Sequence, residues 1–106
     1  MKNIEEGSGN VYADLGMRDA DEMLVKARLA SKIGEIVKRR GLTQTEAAEV
    51  LGMPQPKVSN MLRGKFRGVS EAKMLECLIR LGRQVQIVVK SARSKNVTGR
   101  VEVIFF

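Results

Sequence analysis

GLTQTEAAEVLGMPQPKVSNMLRG, residues Gly41 to Gly64, is the stretch whose reading decides the fold. Thr43 is an N-cap type, and Glu46 three residues later can reach back to its backbone, so the two form a capping box that starts a helix. Ala47, Ala48 and Leu51 then fall on one face, and Ala48 is small enough for a second helix to cross closely. Gly52 stands where the chain must leave that helix in a left-handed conformation, which glycine adopts without a Cβ clash. Met53 plugs the turn. Pro54 and Pro56 fit only the start of the next helix, because an interior proline removes a hydrogen bond and clashes with the preceding turn. Val58, Met61 and Leu62 supply the buried stripe of this second helix, and Gly64 ends it.

Two short helices joined by such a turn are the pattern of a helix-turn-helix DNA reader. An ordinary amphipathic pair in a small bundle would explain the apolar spacing as well, but not the outward face. Gln55, Lys57, Ser59, Asn60 and Arg63 face outward with amide, hydroxyl and cationic groups and no acid among them. Such groups suit base edges and phosphates. Gln55 and Asn60 have amides able to pair with adenine edges, and Lys57 or Arg63 can reach guanine or phosphate. Ser59, Lys65 and Arg67 suit the sugar-phosphate backbone and set register, although Lys65 and Arg67 fit a solvated loop equally well.

At 106 residues the chain has room for one compact domain with a modest core. Lys and Arg number 19 against 12 Asp and Glu, with no His, for a formal net charge of +7. That balance favours a polyanionic partner and salt-sensitive binding. Cys77 is the sole cysteine, so no intramolecular disulfide forms, and its place in an apolar stripe reads as a small core residue. Catalysis is not expected: there is no histidine base, the carboxylates sit mostly at helix starts or on exposed faces, and no glycine-rich phosphate loop occurs. The lack of His and of a Cys cluster argues against a metal site, and no cofactor is expected. No apolar stretch is long enough to cross a membrane and the N-terminus is polar and acidic, so the expected compartment is the cytoplasm.

Outward from the helix pair, Asp19 reads as an N-cap, with Glu22 three residues on, of a long helix running to about Arg40. Its expected buried positions are Leu24, Ala27, Ile33, Ile36 and Val37, with Leu29 and Ala30 near the edge. Lys38, Arg39 and Arg40 crowd the last turn, where cations suit the helix dipole, and Gly41 stops it. Past Gly64, Lys65-Phe66-Arg67-Gly68 is a basic loop with one aromatic residue. Ser70 caps a further helix to about Leu81, with Ala72, Met74, Leu75, Leu78 and Ile79 toward the core and Gly82 at its end. Residues 19–82 thus form a helical DNA-binding head, between a mobile segment, 1–18, and a tail, 83–106.

In the tail the period changes. Arg83 to Lys90 alternates, with Val85, Ile87 and Val89 on one face, and reads as a strand. Ser91 to Gly99 is polar and turn-rich, and Arg100 to Phe106 is a second strand candidate with Val101, Val103 and Phe105 on one face. A lone hairpin is marginal in water, so this tail needs a partner surface. The head can provide one, but a second copy of the tail is more economical, and it places Val85, Ile87 and Val89 at a homodimer interface. At the other end, Val11, Tyr12, Leu15 and Met17 either pack on the head or anchor another protein. The nearby acids Glu5, Glu6, Asp14, Asp19, Asp21 and Glu22 suit a basic partner, or serve as caps and solubilising charge.

The helix pair resembles the lambda repressor and Cro-like superfamily of regulators through Thr43-Gln44, Ala48, Gly52, Met53, Val58, Ser59 and Leu62. Over roughly residues 8–90 the chain is similar to the HigA-type antitoxins. In that group a segment like Val11-Tyr12-Ala13-Asp14-Leu15-Gly16 precedes Asp19-Ala20-Asp21-Glu22-Met23-Leu24-Val25-Lys26-Ala27, and a Leu81-Gly82-Arg83-Gln84-Val85 join leads into a strand. The resemblance implies a mainly α fold, a four-to-five-helix lambda repressor-like DNA-binding domain with C-terminal β-strands pairing in a dimer. It implies a repressor of its own operon, bound to double-stranded operator DNA, that also neutralises a RelE/HigB-like ribonuclease toxin. In the alternative emphasis, toxin neutralisation through Val11, Tyr12, Leu15 and Met17 is the main task and DNA binding is secondary. Family practice places Gln44 on a phosphate and Gln55, Lys57, Ser59 and Asn60 at base edges or the adjoining backbone; with Thr43, Arg63 and Lys65 they complete the expected DNA-binding set. Pro56 departs from the pattern, standing where such regulators often carry a small polar residue, so one base or phosphate contact is expected to be missing. The tail from about Ser91 has no counterpart in the pattern.

Overall fold

The computed structural model describes residues 19–91 and 98–106. Within them the chain forms four helices: α1 (Ala20–Arg39), α2 (Gln44–Leu51), α3 (Gln55–Leu62) and α4 (Glu71–Arg80). Helix α1 packs on α4 and α3, while α2 packs on α3 and α4, so the short pair α2–α3 is braced from both sides. Ile33 and Ile36 of α1, Leu51 of α2, Val58 and Met61 of α3, and Met74 and Cys77 of α4 are the most completely buried side chains. The expected segment Val11, Tyr12, Leu15 and Met17 lies outside the described residues.

Every helix stops the same way. The amide of the residue after the terminal glycine reaches five residues back: Leu42 N to Val37 O, Met53 N to Ala48 O, Lys65 N to Asn60 O and Arg83 N to Leu78 O. These bonds require a left-handed residue just before them, supplied by Gly41, Gly52, Gly64 and Gly82. Helix starts are less uniform. Thr43 and Ser70 cap α2 and α4 through their hydroxyls, as their residue types dictate. Asp19 stands at the N-cap of α1 but makes no side-chain cap hydrogen bond. Its carboxylate instead pairs with Arg67, 2.6 Å away and 48 residues later.

The buried stripe of α1 is rotated from the one its apolar residues suggest. Met23, Lys26, Leu29, Ala30, Ile33, Ile36 and Val37 are buried, together with Val25, whereas Leu24 and Ala27 are only half-buried. Leu29 and Ala30 are therefore core residues, not edge residues. Lys26 concealed this phase: a charged residue sits in the stripe, 4% exposed, with its ammonium on the Arg67 carbonyl at 3.1 Å and on the Glu22 carboxylate at 3.3 Å. A buried cation is tolerable when paired and hydrogen-bonded, and here both conditions are met. In α4 the core positions are Met74, Cys77 and Leu78, while Leu75 is half-buried and Ala72 and Ile79 are exposed. Cys77 Sγ rests 3.6 Å from Met53 Sδ beneath the α2–α3 turn.

The loop between α3 and α4 is anchored as well as basic. Phe66 and Val69 are both buried in the core, and Val69 N bonds Phe66 O at 2.9 Å. Arg67 touches α1 twice, through its carbonyl on Lys26 and its guanidinium on Asp19. Arg67 is thus engaged within the domain, which favours a structural role over a backbone contact to nucleic acid.

No β-strand forms within the described part of the tail, and no backbone hydrogen bond joins 84–91 to 98–106. A strand exists only through the ladder it makes with a neighbour, and the described residues supply none there. The expected alternation is not seen in the packing: Ile87, Val89 and Val101 are exposed, and single residues alone turn inward. Val85 and Val103 pack against the core, and the Phe105 ring lies 4.9 Å from the Lys32 ammonium on the outer face of α1. The corrected phase of α1 has a direct check. Leu29→Ala should lower unfolding stability by about 2–5 kcal/mol in a denaturant titration, whereas Leu24→Ala should cost under about 1.5 kcal/mol.

Candidate nucleic-acid interface

Helix α3 presents the expected side chains on a short, fixed cylinder. Val58 and Met61 turn to the core and Leu62 is half-buried beside them. At about 100° per residue, the opposite ridge carries Pro56, Asn60 and Arg63. Gln55 and Ser59 lie on one flank of that ridge and Lys57 on the other. Gln55, Lys57 and Arg63 are exposed, and Ser59 and Asn60 are half-buried.

The polar groups on this face are already oriented. Arg63 Nη2 donates to Asn60 Oδ1 at 2.6 Å, which leaves the Asn60 amide hydrogens to point outward as donors. Gln55 Oε1 accepts from Thr45 Oγ1 at 3.5 Å, tying the first turn of α3 to the first turn of α2. Thr45, which touches this face, was not among the residues expected from sequence. Its only sequence signal is a hydroxyl two positions after the cap, and the contact exists because the α2–α3 turn brings two residues ten apart together.

The remaining expected residues divide by position. Thr43 is committed to its cap: its hydroxyl accepts from Glu46 N at 3.1 Å, and its own amide donates to Glu46 Oε1 at 2.8 Å. Gln44 follows it as the first residue of α2 and is exposed. Lys57 lines a groove of about 350 Å³ with Pro54, Gly68, Ser70 and Lys73, between α3 and the start of α4. Lys65 is exposed directly after the stop of α3. Of the expected dimer residues, Val85 is half-buried against its own core, while Ile87 and Val89 are 82% and 90% exposed.

The chain has no histidine. Burial pushes the Cys77 thiol above its ordinary value, which keeps it protonated and fits a packing role. Among the described residues no group of histidine, cysteine and carboxylate side chains could hold a metal ion, and no helix is long and apolar enough to cross a membrane. The cap of α2 has a measurable weight: Thr43→Ala should lower stability by about 1 kcal/mol in thermal or denaturant unfolding.

The architecture has relatives. Residues 11–90 match the helix-turn-helix domain family. A solved chain named as an XRE family transcriptional regulator is similar at 34% sequence identity and a TM-score of 0.74, over 81% of this chain and 97% of that one. No curated protein matches this chain. The capped pair α2–α3, the left-handed stop between them and the family match over the same residues lead to one assignment: the protein belongs to the helix-turn-helix domain family.

Proposed function

We propose that the protein is a sequence-specific DNA-binding transcriptional regulator, working as a homodimer that represses by occupying its operator. The observation that carries this reading is the outward face of α3, which has amide, hydroxyl and guanidinium groups, three of them (Gln55, Asn60 and Arg63) engaged in hydrogen bonds, and no acid. Eight residues of helix extend about 12 Å, which matches the width of the B-DNA major groove. Gln55 and Asn60 are the base-reading residues, and Arg63 reads guanine or holds a phosphate. Gln44, Lys57, Ser59 and Lys65 fix the backbone, while Thr43 holds the start of α2 that presents Gln44. Pro56 sits at the centre of the ridge without a polar group, so its contribution is apolar contact, for which a thymine methyl is the natural target.

A dimer follows from the tail. Ile87, Val88 and Val89 are 82%, 70% and 90% exposed, more apolar surface than a short monomeric segment leaves in water. Antiparallel pairing of two copies about Ile87 sets Val85 against Val89 of the other copy and brings all the odd-numbered apolar residues onto one face. Parallel pairing would set Arg83 on Arg83 and Lys90 on Lys90, so like charge disfavours it. Two heads joined in this way can address half-sites about one helical turn apart. The finer reading is an antitoxin that represses its own operon and neutralises a RelE/HigB-like toxin. It is supported by the resemblance of the flanking segments, with Val11, Tyr12, Leu15 and Met17 as the anchors. A cytoplasmic location accords with it.

Four measurements test the proposal. In an anisotropy titration against the DNA upstream of its own gene, Gln55→Ala/Asn60→Ala should lose at least about tenfold in affinity over competitor DNA, from contacts worth about 1–3 kcal/mol each. Equal, salt-sensitive binding by both proteins would reduce the interaction to charge alone. In sedimentation velocity the protein should run as a dimer and Ile87→Asp as a monomer; Ile87→Cys should cross-link on oxidation better than Val88→Cys. Co-expression with the product of the adjacent gene should yield a complex that Tyr12→Ala weakens.

A further inference from the structure

We propose that Arg80 is a positioning residue for DNA reading: from α4 it clamps the α2–α3 turn and so sets the angle at which α3 meets the duplex. This rests on the reading of α3 as the base-reading helix. Three contacts meet at one guanidinium. Arg80 Nη1 donates to Val50 O at 3.4 Å, a carbonyl in the last turn of α2. Helix ends leave such carbonyls without an intrahelical partner, and the Met53 and Gly52 amides go to Ala48 O and Glu49 O instead. Arg80 also lies flat against Gly52, where a Cβ would stand 3.0 Å from Nη1 and 3.1 Å from Cζ. Arg80 Nε bonds Glu76 Oε2 at 2.9 Å, and Lys73 reaches the same oxygen at 3.4 Å.

Each contact favours one orientation. The cation sits at the negative end of the α2 dipole, and the Glu76 brace keeps the planar fork aimed at the turn. The φ of +66° at Gly52 suits glycine, and any side chain there would push the Arg80 guanidinium aside by a few tenths of an ångström. Two nitrogens of the Arg80 guanidinium, Nε and Nη1, are engaged by groups of the domain at its surface, which sets Arg80 apart from a cation without such partners. Bonds from Arg80 and Lys73 hold the Glu76 carboxyl below its ordinary pKa. A carboxyl lowered in the folded state stabilises above its unfolded pKa and loses that contribution as pH falls through the folded one. The brace is therefore complete at neutral pH and is lost only in acid, as pH falls through the lowered Glu76 pKa.

The test uses a duplex that the wild-type protein enriches from a random 20-base-pair library, beside an unrelated duplex of equal length. Folding of each variant is checked by circular dichroism at the titration temperature. Arg80→Ala should weaken binding to the enriched duplex roughly tenfold and leave the unrelated duplex within about twofold. Arg80→Lys, which keeps the charge but not the planar fork, should restore little of the discrimination. Glu76→Gln should give a smaller loss of the same kind. Equal losses on both duplexes, with a salt slope lower by about one and rescue by lysine, would make Arg80 a phosphate contact and overturn the positioning role. Unchanged binding by Arg80→Ala would overturn it as well. If the wild type enriches no duplex, the reading of α3 itself falls, a result distinct from either.

Discussion

Between Leu51, the last residue of α2, and Gln55, the first of α3, only Gly52, Met53 and Pro54 are available to turn the chain. A left-handed residue followed two positions later by an extended one makes that reversal, with Gly52 at φ 66°, ψ 39° and Pro54 at φ −60°, ψ 143°. Met53 between them is buried and touches Cys77, so the turn is pinned from below by the core and from the side by α4. What α3 offers to a duplex depends on this one constraint. If the turn opened, Thr45 would leave Gln55, and the outward ridge would change its angle to α2 without any change in its chemistry.

The surroundings of the pair act as a frame. Helix α1 supplies Ile33 and Ile36 beneath α3 and α4 and holds the loop after α3 through Lys26 and Asp19. Phe66 and Val69 fix the same loop from within. A basic loop that would otherwise sample many conformations thus leaves Lys65 exposed at a defined place. Ordering a flexible cation on binding costs side-chain and backbone entropy, so a loop ordered beforehand binds a fixed backbone more favourably.

The tail poses a different physical problem. Ile104 and Phe106 are exposed along with Ile87, Val88 and Val89, while Val103 and Phe105 turn toward the domain. Only Val103, against the core, and Phe105, beside Lys32 of α1, are engaged; Val101 on the same face is 69% exposed. Backbone groups in 84–91 likewise have no ladder partner among the described residues. Apolar side chains and open strand edges together are what a second copy can cover, which gives the dimer proposal its physical basis.

Much of this was legible from residue types. Thr43 with Glu46, Gly52 before Pro54, and the stops at Gly41, Gly64 and Gly82 each act within one or two turns of chain, so local sequence determined them. The stripe Val58, Met61 and Leu62 likewise defined the buried face of α3, and with it the outward set. The rest needed partners distant in sequence. Lys26 lies in the buried stripe with its ammonium donating to Arg67 O, 41 residues away, and paired with Glu22; the stripe accordingly runs through Leu29 and Ala30 while Leu24 and Ala27 stay half-buried. Asp19 abandons its cap for Arg67, Thr45 finds Gln55, and Arg80 finds the last turn of α2 by the same kind of long-range contact. Capping, helix stops and apolar period are properties of neighbouring residues and can be read along the chain. The partner of a charged or amide group depends on which helices cross, and tertiary structure alone decides that.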